Sequence, residues 1–212
     1  MRGGAGVGLV ALVLVAGVAG AADWKTVAEK PMVIRVRERA DLPGAREVWA
    51  EGDMAVSAWA VQAVLTDHEA FREWMPYVKE SRLVSTASKV ERVTYTRLEL
   101  PVISSRDFVL FVYDEQKLDD EGEGEFVQRW RADAGLLPKR HGVVRLKHNE
   151  GSWHITPAGE GRAHFVYRFT VEPGGSIPGF LAGFGQKDAV LDTVGALERR
   201  ARRVSEQRRQ GQ

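Results

Sequence analysis

FREWMPYVKESRLV, Phe71 to Val84, carries the end of an apolar helix into a Trp-Met-Pro-Tyr corner and straight on to a strand. Connections of this kind are usually polar, so a corner built from Trp74, Met75, Pro76 and Tyr77 is read as a packed one, with its aromatics under a sheet. Pro76 ends the helix because it supplies no amide hydrogen and disfavours helical backbone at Met75. On the upstream side Ser57 is a good N-cap, and Val61, Val64 and Leu65 fall on one face of a helix over Ala58–Asp67. Asp67 or Glu69 then opens a second short helical turn that runs to Pro76.

Downstream of Tyr77 the hydrophobic period switches to two. Candidate strands are Val78–Val84, Glu91–Leu100, Asp107–Tyr113, Gly124–Ala132, Val143–His148, Ser152–Thr156 and Ala163–Val171. The last alternates cleanly, with Phe165, Tyr167 and Phe169 on one face and His164, Val166 and Arg168 on the other. Short strands joined by hairpin-length turns make one strongly bent antiparallel sheet. Two further strands, Val33–Arg37 and Glu47–Ala55, precede the helices, and Asp23 or Thr26 is expected to cap a short helix before them. The chain closes with a long helix that Ser176 can cap and Pro178 can open. Its residues Leu191, Val194, Leu197, Ala201 and Val204 form one apolar stripe. The order is α, β-β, α-α, a run of strands, then one long α, and only the last helix is long enough to cover the sheet.

The 212 residues begin with a segment that reads as a secretory signal peptide, residues 1–21. Arg2 is followed by a charge-free apolar run from Val7 to Val18, and Ala19-Gly20-Ala21 fits an A-x-A cleavage site. A membrane span would need roughly 20 apolar residues, and this run is shorter and rich in Gly. Residues 22–212 are then expected to form a single domain, with a core over about 33–203, exported to the periplasm or secreted. Without Arg2 the 29 basic residues balance the 29 acidic ones, which argues against a general nucleic-acid binder. Charge is uneven, however: Glu198–Gln210 holds six Arg and two Glu, a net +4 that could meet anionic lipid. With no cysteine the chain has no disulfide, thiolate metal site or Cys nucleophile. Its five His residues show no metal-binding spacing, no G-x-S-x-G is present, and no Gly-rich phosphate loop follows a strand. No metal, cofactor or catalytic residue is expected.

Several stretches in order carry a resemblance: Glu51-Gly52, then Ala60-Val61-Gln62-Ala63-Val64-Leu65-Thr66-Asp67, then Phe71 to Val78, then Ser105-Arg106-Asp107-Phe108-Val109, and finally Gly174-Gly175-Ser176-Ile177-Pro178. Over about Val33–Arg203 the chain resembles START domains, the steroidogenic-acute-regulatory-protein-related lipid-transfer family within the helix-grip, Bet v 1-like superfamily. That resemblance implies an α+β helix-grip fold, in which a curved antiparallel sheet wraps the long C-terminal helix around an internal apolar cavity. It implies one lipid or other hydrophobic small molecule inside and no metal or nucleotide. Transient membrane contact and no nucleic-acid partner are expected beside it, and a monomer is the expected state, which the sequence does not fix.

The same resemblance places Arg106, Phe108, Leu110 and Val112 of one strand on the cavity side. Tyr95, Arg97, Trp130, Phe180, Phe184 and Leu191 complete the candidate ligand-binding set. Arg106 and Asp107 are adjacent, so on a strand they point to opposite faces. A buried Arg106 needs a partner, for which Glu99 or Glu73 is available, and it serves either as a structural ion pair or as a polar anchor for a ligand. Sterol-binding members of the family carry a further Arg on this strand, paired with an acid on the preceding one. Val112 stands at that position here, which implies a more uniformly apolar tunnel suited to acyl, polyprenyl or hopanoid-like ligands. The apolar loop Leu100–Ser105 either borders the tunnel mouth or folds inward as core. Two functions follow: a non-enzymatic carrier in the cell envelope, or a helix-grip enzyme of the polyketide cyclase and dehydratase type. A third reading is a tunnel filled by its own side chains.

Overall fold

The computed structural model describes residues 23–172, 174, 175 and 186–211. The expected signal peptide and the candidates Phe180 and Phe184 lie outside the described residues, as do Ser176 and Pro178. Strands β1 (Lys25–Ala28), β2 (Val33–Glu38) and β3 (Arg46–Met54) lead into helix α1 (Ala58–Thr66), a 3-10 turn (His68–Ala70) and α2 (Phe71–Trp74). Strands β4 (Val78–Thr86), β5 (Glu91–Leu98), β6 (Arg106–Gln116), β7 (Phe126–Ala132), β8 (Val144–Arg145), β9 (Asn149–Pro157) and β10 (Ala163–Val171) follow, then helix α3 (Gln186–Gln210). The sheet order is β1-β2-β3-β10-β9-β7-β6-β5-β4, antiparallel throughout, with the two-residue β8 added in parallel to the start of β6. The large antiparallel sheet and its long C-terminal helix form the expected helix-grip architecture.

The expected short helix near Asp23 and Thr26 is instead strand β1, paired with β2 from Lys25 opposite Val36. The local capping signal loses to tertiary contacts. Trp24 meets Trp49 edge-on at 6.3 Å, Arg37 lies over its ring at 4.6 Å, and Val27 packs on the core.

Helix α1 starts where Ser57 accepts a hydrogen bond from the Ala60 amide, a cap worth about 1 kcal/mol. It buries Val61, Val64 and Leu65 against Ile34, Val48, Ala50, Phe126, Ile155 and Phe165 of the sheet. Val190, Val194, Leu197 and Ala201 of α3 complete this core at helical spacing. Each fully buried large side chain contributes about 1.5–3 kcal/mol of transfer free energy. The arginine-rich end of α3 is partly tied down: Arg200 pairs with Glu73 at 3.1 Å, and the Arg208 guanidinium covers the Trp59 ring at 4.1 Å.

At the Trp-Met-Pro-Tyr corner α2 ends as expected. Met75 is extended, its amide donates to the Phe71 carbonyl at 2.8 Å, and the Val78 amide closes the turn on the Met75 carbonyl at 3.3 Å. Phe71 meets Trp74 edge-on at 5.2 Å and Trp74 packs against the core. Tyr77 does not pack under the sheet: it is 45% exposed with φ 63°. The position after Pro76 requires left-handed backbone for this turn, which aims the ring outward and costs a non-glycine residue about 1–3 kcal/mol.

Candidate ligand-binding face

The helix side of the sheet carries Val48 and Ala50 of β3, Phe165, Tyr167 and Phe169 of β10, Trp153 and Ile155 of β9, and Phe126 and Trp130 of β7. Register extends this face to β6 and β5, since Trp130 faces Val112, Ala132 faces Leu110, and Leu110 faces Thr94. Burial falls along the face. Under α1, Phe126, Ile155 and Phe165 are fully buried. Toward the other end Phe108, Trp130, Tyr167 and Phe169, with Leu191 of α3, are only half-buried although they point inward. A face of large apolar side chains that is closed at one end and partly open at the other suits an elongated apolar ligand.

An aromatic ladder forms the floor. Tyr167 stacks on Trp153 at 3.8 Å with planes 3° apart, lies 4.8 Å from Phe169 and 6.1 Å from Trp130. The Trp130 indole N–H donates to Asn149 at 3.0 Å, which lays the ring across Gly151. A Cβ at Gly151 would stand 2.4 Å from the Trp130 ring, 2.4 Å from the Arg168 carbonyl oxygen and 2.8 Å from the Phe169 Cβ. Gly151→Ala is therefore expected to destabilise the fold by about 1–3 kcal/mol and to displace the indole. Chemical denaturation combined with tryptophan fluorescence reads both effects, and an unchanged midpoint and spectrum would refute the packing account. Burial pushes the Tyr167 phenol well above its ordinary pKa, so it stays protonated.

Of the candidates read from the sequence, Arg106, Phe108, Leu110, Val112, Trp130 and Leu191 are brought to this side. Tyr95 and Arg97 are not. They alternate with Thr94 and Thr96 and lie on the convex face, where Tyr95, Val93 and Val109 form a second small core with Val84, Phe111 and Leu137. The Tyr95 hydroxyl donates to Asp107 at 3.2 Å, and Arg97 sits among Glu80 and Glu99. Their expected place on the inner face is corrected because this sheet buries apolar side chains on both sides.

The inner face is also less uniformly apolar than Val112 implies. Arg92 of β5, opposite Val112, makes a two-pronged pair with Asp114 at 2.8 and 2.9 Å. Gln128 donates to Asp114 at 2.9 Å and to the Leu65 carbonyl at 3.3 Å, and the Arg92 Nε–H donates to His68 Nδ1 at 3.2 Å. This network closes the α1 end of the face. The signal that could have found it was Asp114 in phase with Leu110 and Val112. Thr94 adds a buried hydroxyl with no hydrogen-bond partner. In the Leu100–Ser105 loop Val102 is 86% exposed with φ 67°, so the loop tip points outward and is not core. The convex face bears a groove lined by Arg39, Glu47, Glu115, Arg129, Glu150 and Arg168. Its charges neutralise one another in pairs such as Arg129–Glu115 at 2.7 Å.

The family model for polyketide cyclase/dehydrase and lipid transport matches residues 54–198. A STAR-related lipid transfer protein from Xanthomonas axonopodis is 31% identical, superposes with a TM-score of 0.72, and is matched over 84% of this chain and 98% of its own. The chain belongs to this family, in its START branch. Human phosphatidylcholine transfer protein is 29% identical over 175 residues, 80% of this chain and 79% of its own. The Zhui aromatase/cyclase from Streptomyces sp. R1128, 14% identical with a TM-score of 0.52, covers 75% of this chain and 94% of its own and shares the fold alone.

Proposed function

We propose that this protein is a non-enzymatic carrier that binds one lipid or other hydrophobic small molecule between its sheet and α3 and moves it within the cell envelope. The observation that carries this reading is the inner face itself: a largely aromatic and aliphatic surface that is buried at the α1 end and half-open at the other, in a START-branch chain. Burial of an acyl chain on it contributes about 25 cal/mol per Å² of apolar area. The ionisable groups found there favour holding over conversion. Arg92, Asp114 and His68 satisfy one another. The signal-peptide pattern read in residues 1–21 supports the envelope part of the proposal. Exposed Val102 beside the loop's Pro101 supports transient contact with a membrane.

Native mass spectrometry of the protein purified without detergent, followed by organic extraction, tests the proposal. The expected result is an added mass that extracts as a lipid and is recovered chemically unchanged after incubation with the protein. A clean ligand-free mass with no uptake from a lipid mixture overturns the carrier reading, and a converted molecule replaces it with the enzyme.

A further inference from the structure

Arg106 is 3% exposed, opens β6, and points to the same side as Phe108, Leu110 and Val112. Its guanidinium donates to two carbonyl oxygens, of Ser104 and, at 3.5 Å, of Gly174, and its Nε–H is buried with no partner. Among the described residues no carboxylate answers its charge. Glu99, expected as a partner, binds Arg97 at 2.9 Å, and Glu73 binds Arg200 at 3.1 Å. The neighbouring Asp107 faces the other side and is taken by Arg145 at 2.7 Å. The residues outside the described set that adjoin Gly174 and Gly175 are Pro173 and the sequence SIPGFLAGFG, which contain no acidic side chain. Burial lowers the Arg106 pKa from its ordinary value.

Two other deeply placed arginines show what the fold does when a guanidinium is purely structural. Arg145 and Arg92 each receive a two-pronged carboxylate, from Asp107 and Asp114. Arg106 has the burial without the anion, which is a costly state for a charge that never leaves. A guanidinium has five N–H donors in a planar fork matched to phosphate and carboxylate, and the carbonyls of Ser104 and Gly174 leave part of that fork, Nε–H included, unused. Among the described residues Gly174 and Gly175, at φ 58° and 63°, lie over it, and neither carries a side chain that could cap the guanidinium. Phe108, two residues on, begins the apolar inner face.

We infer that Arg106 anchors the anionic group of the bound lipid, a phosphate or carboxylate that supplies the counter-charge no described residue gives, while the acyl part runs along Phe108, Trp130 and Tyr167. This inference rests on the carrier reading and adds the class of cargo: lipids with an anion at the polar end, in preference to neutral ones of equal chain length.

The test compares uptake of dioleoyl phosphatidic acid and dioleoylglycerol by native mass spectrometry in the wild type, Arg106→Met, Arg106→Lys and, as a convex-face control, Arg97→Met. The wild type and the control are expected to favour phosphatidic acid by about tenfold or more. Arg106→Lys is expected to keep a reduced preference, and Arg106→Met to take up both lipids equally. If Arg106→Met does not fold, the Arg106 Nε–H resonance of the wild type, assigned by its loss in Arg106→Lys, decides the matter. It is expected to shift on adding phosphatidic acid and to stay put with dioleoylglycerol. Equal uptake of both lipids by the wild type, or a preference that survives in Arg106→Met, overturns the anchor and leaves the carrier reading standing. Uptake of neither lipid overturns both. A resonance shift with inorganic phosphate alone, without lipid preference, assigns the site to free phosphate and overturns the lipid-anchoring role.

Discussion

Replacing Asp114 by Ala is expected to cost about 3–5 kcal/mol of folding free energy, a fall in melting temperature of about 6–20 °C for a domain of this size. The reason is the charge left behind. Asp114 has no exposed side-chain surface and accepts both prongs of Arg92, whose side chain is 12% exposed. It also accepts from Gln128 at 2.9 Å, and the Lys117 ammonium lies 3.1 Å away. Alanine would strand the Arg92 guanidinium at the closed end of the inner face and leave the Gln128 amide with only the Leu65 carbonyl. Pairing the change with Arg92→Met should return most of the loss, because removing both charges leaves nothing uncompensated. Urea denaturation of the three variants measures the cycle. A loss below about 1 kcal/mol in the single Asp114 variant would mean that Arg92 is hydrated in solution, and would refute the closed-end account.

The same cluster sets the acid limit of the fold. Burial pulls the His68 pKa from its ordinary 6.5 down to about 4, and the neighbouring Arg92 charge pulls the same way. The Thr66 carbonyl and Asp114 oppose the shift without cancelling it. The folded protein therefore binds fewer protons than the unfolded chain between pH 6.5 and 4, and stability falls through that window as pH drops, by up to about 3 kcal/mol. For Asp114, burial alone would raise the pKa, but hydrogen bonds from Arg92 and Gln128 and the Arg92 charge win, and the net shift is downward. Its contribution is present above the ordinary Asp value and is lost as pH falls through the lowered folded one, so a second decline follows the first. His68→Gln should flatten the upper part of the profile and keep the lower.

Element types were legible wherever a local signal had no tertiary rival. The Ser57 cap, the helix stop at Pro76 and the alternation of β10 all appear as read. Sheet order was not legible, because β10 pairs with β3 across more than a hundred residues and strand periodicity carries no information about distant neighbours. The inner side of β6 followed from the family resemblance, with parity separating Arg106 from Asp107, whereas β5 was misread. Tyr95 looks like a core residue because it is one, in the small core behind the sheet. Arg106 shows the opposite limit: the sequence showed a buried arginine with candidate acids, and only the side-chain geometry shows that each acid is already taken.

Arg145→Met is the second substitution expected to cost about 3–5 kcal/mol, and it separates the two sides of the sheet. The Arg145 side chain is 2% exposed and every direction of its fork is used. Its Nε and one terminal nitrogen hold Asp107 at 2.7 and 3.0 Å, and its donors also reach the carbonyls of Ala134, Leu137 and Pro138 at 3.2, 2.9 and 3.2 Å. It thereby clamps the segment after β7 onto the convex core, where burial and the Asp107 charge push the Tyr95 phenol up to about 12. Methionine would leave Asp107 buried with one hydroxyl for company and three carbonyls short of a donor, so the segment over residues 133–143 should become the first site of proteolytic cutting. Asp107→Asn in the same chain should recover part of the stability. Lipid uptake at a temperature where the variant stays folded should be unchanged, because Asp107 and Arg145 lie on the convex side while the adjacent Arg106 lies on the inner side proposed to hold the ligand. Loss of uptake together with full stability would show that the two faces are coupled and would refute this division of labour between neighbouring residues of one strand.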